Sequence, residues 1–455
     1  MSEREPISQS DAPRTEGLLP ADDALRSELH NELHARPSAR IRLPALIVSV
    51  AVLNDGVSRA QECEHLRRLP GQQDLTLDRL RGLFLRLRFG DHTLKWERHS
   101  EFTRYSIVQP LPEGSGLGAS DPDLLQGLVT PAGWWQAIPG RTIAAIALVM
   151  VSGELPDLTR EAPQPLMSRA QAWFGGGPIV ASQLGGGYAW ALTDFALRPS
   201  GFEHMLVIAP AGTSELRAGR ISGRLLELET YRMMALRGLP VAKAIAPTLA
   251  AAESELAEIT AHIERKATSE QELLDRLVGL SAHVERKIAE SGYRFAATRA
   301  YEDIVRQREA ELREVVIPGT QPLGSFMRRR LSPAMATVTS TQQRLASLSE
   351  RVARASSLLR TRVDIVTEAQ NQELLEKLTR GQELQLKLQT TVEGLSIAAI
   401  SYYVMSLILY VLKAAKAVGL LPFQPEAAAG ALIPVVLWGV WRTVRRIHEK
   451  LKGAH

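Results

Sequence analysis

The sequence predicts an α/β N-terminal cytoplasmic domain, then a long, coiled-coil-like helical stalk, then a C-terminal two-helix transmembrane hairpin. Three observations lead to this fold class. Short β-type runs dominate up to residue 212, long helical periodicity follows, and nearly all of the uninterrupted apolar sequence lies in the last 65 residues. The predicted regions are a loose tail (1–20), the α/β domain (21–212), the stalk (213–392), the hairpin (393–446) and a basic tail (447–455).

The composition is that of a globular protein rather than a disordered or fibrous one. The chain has 455 residues, of which 45% are hydrophobic and 23% charged, and its formal net charge is only +4. So small a basic excess does not indicate nucleic-acid binding, and no nucleic-acid partner is expected. The single cysteine, Cys63, excludes an internal disulfide and a zinc site built from cysteines.

Two kinds of strand are predicted in the α/β domain. The segments 45–53 and 143–151 are continuously apolar, which is typical of strands buried on both faces. The segment 83–89, LFLRLRF, alternates apolar and charged residues, as a strand with one solvated face does. Turn residues at Gly90-Asp91 and at His99-Ser100 predict an antiparallel meander. Further strands are expected at 93–97, 102–108, 188–193 and 204–208, and helices at 56–69 and 167–174.

Long helices are predicted after Pro210. The first runs from Ser214 to Leu239 and is expected to end at Gly238 and Pro240. The segment 318–324, PGTQPLG, is the strongest turn signal between two later helices.

The last of these helices carries apolar residues at steps of three and four between Leu345 and Val366. No proline interrupts residues 334–421, so this helix is expected to continue into the membrane. Its leucine stripe needs cover from the earlier helices or from another subunit, and a homo-oligomer is therefore expected. The helix is expected to be either a functional lever or a solvated coiled-coil spacer with no partner beyond itself.

Two apolar segments near the C-terminus predict the membrane hairpin. Residues 394–412 are 19 uncharged residues, or about 28 Å of helix, close to the hydrocarbon thickness of a bilayer. Residues 427–441 form a second uncharged segment, which is short for a span, so an interfacial or re-entrant segment is the alternative. The basic residues expected at the membrane interface are Lys413, Lys416, Arg442, Arg445 and Arg446.

The charge distribution predicts the orientation of the hairpin. The tail after the second segment holds more Lys and Arg than the loop between the segments, which places the tail inside. The first 20 residues lack an apolar signal-peptide core. These features predict a multi-pass membrane protein with both termini cytoplasmic and the lipid bilayer as a partner.

Two segments of the predicted α/β domain are candidates for a ligand site. In HNELH, His30 and His34 are one helical turn apart, but Asn31 occupies the position where a zinc metalloprotease has its glutamate, so no metal site is expected. His34 and Arg36 are retained as ligand-binding candidates, because a guanidinium binds carboxylate or phosphate.

The second segment begins at Lys95. By the period of two, Trp96 and Arg98 share one face of the sheet, and Glu97 and His99 share the other. Trp96, Glu97, Arg98 and His99 are therefore candidates for a polar pocket, and exposed cross-strand ion pairs are the alternative.

The glycine triplets 175–177 and 185–187 flank PIVASQL and lack the spacing of a phosphate loop, so they are predicted to be hairpin or loop glycines.

Several motifs together resemble one bacterial family of predicted membrane-anchored proteins, domain of unknown function 3422 (DUF3422). The motifs are NELHARP (31–37), LKWERHSEFTRYS (94–106), TDFALRPSGF (193–202), LLELETYRMMALRGLP (225–240), LLRTRVDIVTEAQNQELLEKL (358–378) and TVEGLSIAAISYY (391–403). This resemblance implies an anchor in the bacterial inner membrane but no activity, substrate or cofactor.

The order of the predicted parts is also similar to CorA-type magnesium channels, which carry Gly-Met-Asn after their first span. That motif is missing here, and Lys413 and Lys416 near the loop disfavour a cation.

The sequence favours a membrane-anchored, cytoplasm-facing protein with a binding, scaffolding or sensing role for an unidentified small-molecule or protein ligand. No catalytic residue and no cofactor are assigned, so an enzyme is the less favoured class. Two alternatives remain at this point, namely a CorA-like oligomeric ion transporter and a hydrolase with its site in the α/β domain.

Overall fold

The structure, a computed structural model, describes residues 23, 25–26, 39–158, 160–265, 269–417 and 424–452, with side chains up to residue 446. It confirms a mixed α/β sheet in the N-terminal region, a long helix after it and a separate C-terminal helix. The chain divides into two compact units. The first comprises 1–260 with 277–353, and the second comprises 261–276 with 354–455.

A nine-stranded sheet organises the first unit. Its strand order is β2-β3-β4-β1-β5-β8-β7-β6-β9, and every neighbouring pair is antiparallel except β5 and β8. The strands are β1 (Ala45–Leu53), β2 (Phe84–Phe89), β3 (His92–Arg98), β4 (Phe102–Pro110), β5 (Arg141–Ser152), β6 (Val180–Leu184), β7 (Ala189–Leu197), β8 (Glu203–Ala209) and β9 (Val315–Val316).

Seven α-helices are described, one between β1 and β2, one between β5 and β6, and five after β8. Short 3₁₀ turns lie at Leu77–Leu80 and Trp135–Ala137. The α-helices are α1 (Arg59–Arg67), α2 (Gln164–Trp173), α3 (Glu215–Leu236), α4 (Gly238–Arg265), α5 (Glu270–Glu311), α6 (Leu323–Ala417) and α7 (Pro425–Lys452).

The sheet buries apolar side chains on both faces. One face packs with α1 and α2 around Trp96, Trp173 and Trp190. The opposite face, called the helix face below, packs against α3 and against the adjoining parts of α5 and α6. Strand β1 illustrates why its sequence is continuously apolar, because Val48 contributes to the first core and Ile47 to the second.

The predicted meander is present. Strands β2, β3 and β4 pair in antiparallel register through turns at Gly90-Asp91 and His99-Ser100. Burial alternates along β2, where Arg86 and Arg88 are exposed between buried apolar neighbours. Both continuously apolar segments are central strands, β1 and β5.

Helix α4 and the strands β6 and β9 were missed by the sequence prediction. The helix expected to end at Gly238 and Pro240 instead ends at Leu236, and a further helix, α4, begins at Gly238. Pro240 lies in the first turn of α4, where a missing N–H costs no helical hydrogen bond, so it starts a helix rather than ending one. The segment PIVASQL contains strand β6, and the glycine triplet 185–187 forms the turn of its hairpin with β7.

The turn predicted at 318–324 lies between α5 and α6, but α6 already begins at Leu323 and contains Pro333. Just before this turn, β9 adds two residues to the edge of the sheet next to β6. A carboxylate oxygen of Glu314 accepts a hydrogen bond from the backbone N–H of Gly324 at 3.0 Å and so satisfies a donor in the first turn of α6.

Helix α3 approaches the segment before β1 very closely. The backbone N–H of Ile41 donates to the carbonyl of Glu215 at 3.2 Å. A Cβ placed on Gly219 would lie 1.7 Å from the carbonyl oxygen of Ala39, so no larger residue fits without displacing that backbone. Gly223, one turn later on the same helix, has nothing within 4 Å of its Cβ position.

We predict that Gly219→Ala destabilises the protein by about 2–3 kcal/mol, because the segment 39–41 must move away from α3. Gly223→Ala is the matched control and should stabilise the protein by about 0.5–1 kcal/mol through helix propensity. Chemical unfolding of the purified full-length protein measures both. Equal effects of the two substitutions would show that the contact with Ala39 does not limit the packing of α3.

Candidate functional site

A row of polar side chains crosses four strands on the helix face of the sheet. The strand register places Arg86 opposite Lys95, Lys95 opposite Ser106, and Ser106 opposite Ser49. The hydroxyls of Ser49 and Ser106 hydrogen-bond to each other at 2.9 Å. Since polar groups cannot be covered by an apolar helix surface without a cost in free energy, this row interrupts the apolar packing between the sheet and α3.

A cavity of about 950 Å³ lies above this row. Its walls are the helix face of β1–β4, the segment 39–44, helix α3 and the end of α5. All of these elements belong to the first unit. Nine basic side chains and five carboxylates line it, an excess of positive charge. They are Arg40, Arg42, Arg86, Arg88, Lys95, Arg104, Arg220, Arg224 and Arg308, with Asp91, Glu97, Glu215, Glu227 and Glu311.

A chain of ion pairs forms the floor of the cavity. Glu97 accepts hydrogen bonds from Lys95 at 2.8 Å and from Arg104 at 2.5–2.8 Å. A terminal nitrogen of Arg104 also lies 3.6 Å from a carboxylate oxygen of Glu227 on α3. Glu227 accepts from Arg308 on α5 at 2.6 Å. These contacts connect β3 and β4 with α3 and α5 through charged groups alone.

Arg308 extends this chain of ion pairs to Glu311, with Nη1 2.9 Å from a carboxylate oxygen. Arg224 of α3 also contacts this residue, because its Nη1 donates to the backbone carbonyl of Glu311 at 3.1 Å. The end of α5 is thereby held against α3.

The pKa values of the floor groups are set by burial and by one another. Burial alone raises the pKa of Glu97, but the charges of Arg104 and Lys95 outweigh it and lower that pKa to about 2. Burial lowers the pKa of Lys95, and Glu97 opposes this shift. Burial also disfavours the charged form of Arg104, yet Glu97 and Glu227 together shift its pKa upward. Glu97 is therefore ionised throughout the physiological range.

The rim of the cavity differs from its floor. Arg40, Arg42, Arg88 and Arg220 line the cavity and are exposed. Among the residues that the structure describes, none of these four side chains forms an ion pair or a hydrogen bond. Their charges are thus available to a bound anion, whereas the floor cations are already paired with carboxylates.

Of the predicted candidates that lie within the described ranges, only Glu97 lines this cavity. Its neighbour Trp96 points to the opposite face, where it is fully buried in the first core. Arg98 is on that same face and donates to Glu62 of α1 at 2.5 Å and to the carbonyl of Val57 at 2.9 Å. Arg98 thus fastens α1 to the sheet.

His99 follows the end of β3 and stacks on Phe102 with ring centroids 4.2 Å apart. It does not line the cavity. His34 and Arg36 lie outside the described residues.

The sequence contains partial indications of the other cavity residues. Lys95 and Arg104 occur within LKWERHSEFTRYS, but only the register of β3 and β4 brings Glu97 opposite Arg104. On α3, Arg220, Arg224 and Glu227 recur at steps of four and three, the spacing of one helix face.

A second cluster of ionisable groups lies at the start of β8 and does not line the cavity. Nε of Arg232 donates to Glu229 at 2.8 Å, and a terminal nitrogen lies 3.7 Å from Glu203. Burial, together with the charge of Glu229, raises the pKa of Glu203 to about 8. The carboxyl group of Glu203 is therefore mostly protonated at neutral pH.

Among the described residues, two helices are long and apolar enough to cross a membrane, by length and composition. They are α6, which continues from the first unit into the second, and α7. The apolar window of each is only 6% buried. Tyr402 and Tyr410 of α6 and Trp438 and Trp441 of α7 are among the exposed side chains.

The basic residues predicted at the membrane interface lie toward the ends of these helices. Nζ of Lys413 is 3.6 Å from a carboxylate oxygen of Glu426, and Lys416 lies in the last turn of α6. Arg442 and Arg445 lie over the rings of Trp438 and Trp441, at 5.0 and 5.1 Å, and Arg446 follows on α7.

The cavity can bind a ligand through charge and hydrogen bonds. Guanidinium groups offer paired N–H donors that match carboxylate or phosphate oxygens, and the hydroxyls of Ser106 and Ser222 lie in the same lining. Within the described ranges, no group of three His, Cys, Asp or Glu side chains is placed to hold a metal ion.

We predict that Glu97→Gln destabilises the protein by about 3–5 kcal/mol, because it leaves Arg104 buried without its principal counter-charge. Glu64→Gln is the matched control. It breaks an exposed pair with Arg67 and should cost no more than about 1 kcal/mol. Urea unfolding of both variants gives the comparison, and equal losses would mean that the floor of the cavity does not depend on this buried pair.

Comparisons with known proteins identify the family of the chain. Searches of the curated proteins and of the solved structures give no match. The resemblance to CorA-type channels therefore receives no support. A family described as "Protein of unknown function (DUF3422)" matches residues 21–451, nearly the whole chain, in agreement with the motifs. The chain belongs to this family.

Proposed function

We propose that the protein is a membrane-anchored module whose N-terminal unit faces the cytoplasm and binds an anionic ligand in the arginine-lined cavity. The observation that carries this proposal is the set of four exposed, unpaired arginines, Arg40, Arg42, Arg88 and Arg220, around a cavity of about 950 Å³. Binding there fits a sensing or scaffolding role.

The size and chemistry of the cavity support a small anionic ligand. Small-molecule sites commonly occupy about 300–1,000 Å³, and this cavity lies at the upper end of that range. Like charges gathered around a cavity repel one another and favour a bound counter-ion. Arg86 also lines the cavity, on the strand next to Lys95.

The apolar ends of α6 and α7 support the anchor. Water solvates exposed aliphatic and aromatic side chains poorly, and a bilayer covers them at no such cost. Arg442, Arg445 and Arg446 follow the second apolar segment, and only Lys413 and Lys416 lie on the other side of it. The positive-inside rule then favours cytoplasmic termini and an inner-membrane location. No specific observation favours ion transport or hydrolysis.

We predict that pyrophosphate or citrate raises the thermal unfolding temperature of the purified full-length protein in detergent. A ligand that binds only the folded state stabilises it by about 2.7 kcal/mol at 100 times its Kd. The double variant Arg42→Gln/Arg220→Gln should lose most of this shift, since two of the four unpaired guanidinium groups are removed. Comparing the two anions separates phosphate from carboxylate recognition.

The control variant is Arg79→Gln, which removes an exposed arginine outside the cavity and should leave the shift unchanged. Sodium chloride at matched ionic strength corrects for general screening. Unfolding without ligand verifies that each variant is folded. The proposal is wrong if neither anion stabilises the wild type, or if the double variant keeps the whole shift.

A further inference from the structure

Helix α6 has an exposed segment before its apolar end. Arg362 is held by the last turn of α4 and the first residue of α5, with Nη1 donating to the carbonyl of Ile263 at 2.8 Å and Nε 2.8 Å from Glu270. From residue 367 to residue 392 every described side chain of α6 is exposed. The exposed fractions of Leu374, Leu388 and Leu395 are 57%, 68% and 74%. Such exposure of leucine along one helix indicates a surface that is covered by a partner.

The exposed residues follow a heptad repeat. Apolar or amide side chains, with one glycine, occur at steps of 3, 4, 3, 4, 3, 4 and 3 residues. They are Asn371, Leu374, Leu378, Gly381, Gln385, Leu388, Val392 and Leu395, called the seam below. A mean spacing of 3.5 residues keeps these positions on one side of a helix that winds around another helix.

We propose that the seam binds a second copy of this chain in a parallel, in-register two-stranded coiled coil. In this assignment Asn371, Leu378, Gln385 and Val392 are the first core positions of each heptad, and the other seam residues are the second. A β-branched residue at the first position with leucine at the second favours two strands. Val392 followed by Leu395 has this arrangement.

The two amides select an identical partner. A carboxamide both donates and accepts hydrogen bonds, so Asn371 can pair with Asn371 of a second copy and Gln385 with Gln385. Against an apolar residue of an unrelated helix, each amide would be buried without a partner. Only a parallel pairing without offset brings both amides opposite themselves, 14 residues apart along the helix.

The distribution of charge agrees with pairing between identical chains. The positions that flank the core are Leu375, Lys377, Gln382, Leu384, Gln389 and Thr391. Lys377 is the one charged residue among them, and the register places it opposite Gln382 of the other copy, so no like charges meet. The charged residues Glu376, Arg380, Glu383 and Lys387 lie on the outward side.

Cysteine crosslinking of the full-length protein in isolated membranes tests this arrangement. The natural background is simple, because Cys63 is the only cysteine and is buried, and Cys63→Ala removes it. Leu374→Cys and Leu388→Cys each place a thiol on the seam. Glu383→Cys is the matched control on the outward side of the same helix. With a mild oxidant, each seam variant should form a disulfide-linked dimer, and the control should remain monomeric.

Three results would overturn the proposal: equal crosslinking of the outward control, no crosslinking at the seam, or crosslinking at only one seam position. The last result would indicate an antiparallel or shifted pairing. Circular dichroism of the purified variants shows whether α6 remains helical. As a second measurement, Val392→Asp should abolish the crosslink at Leu374→Cys about five helical turns away, whereas Lys387→Asp on the outward side should keep it. This inference does not depend on ligand binding in the cavity.

Discussion

The burial of the Arg104 charge is the constraint on which the candidate site depends. Arg104 is 4% exposed on the helix face of the sheet, where an unpaired guanidinium would be strongly unfavourable. Glu97 compensates it from the neighbouring strand and Glu227 from α3. Arg308 then brings the end of α5 to the same group of charges. The helix face is apolar under the rest of α3, but here helices and sheet meet through ion pairs, and a cavity remains between them.

This arrangement separates two roles among the basic residues. The floor cations are neutralised by carboxylates within the protein and support the packing of the sheet against α3 and α5. The side chains of the rim arginines do not hold elements of the fold together, since they form no ion pair or hydrogen bond in the described part of the chain. The rim arginines gather around one cavity, and the proposed anionic ligand would supply the counter-charge that the described part of the chain does not. An anchor in the bilayer would keep such a module close to the membrane surface.

Much of the fold could be predicted from the sequence because the relevant signals are local. Strands β1 and β5 are continuously apolar since they are covered on both faces, and β2 alternates since its arginines border the cavity. Helix α4 was missed because Gly238 and Pro240 are typical of a helix end, whereas here they begin a helix. The glycine is needed for packing, since a Cβ on Gly238 would lie 2.4 Å from the hydroxyl oxygen of Thr298. Strand β6 was missed because it is five residues long and lies between glycine triplets.

The site was less predictable because it is assembled from distant segments. Glu97 could be predicted from its polar neighbours on one strand. Its companions Arg220 and Arg308 are more than 100 residues away, and nothing local connects them with β3. Alternation assigned Trp96 and Arg98 to the face opposite Glu97, but it could not show that this face is the main core.

The location of the cavity is tested most directly in cells. Spheroplasts that carry the full-length protein are treated with protease before and after lysis, and their membranes are washed with alkaline carbonate. We predict that the protein stays with the washed membranes and is released by detergent. Its N-terminal unit should be digested only after lysis. Recovery in the aqueous fraction without detergent, or digestion of that unit in intact spheroplasts, would contradict it.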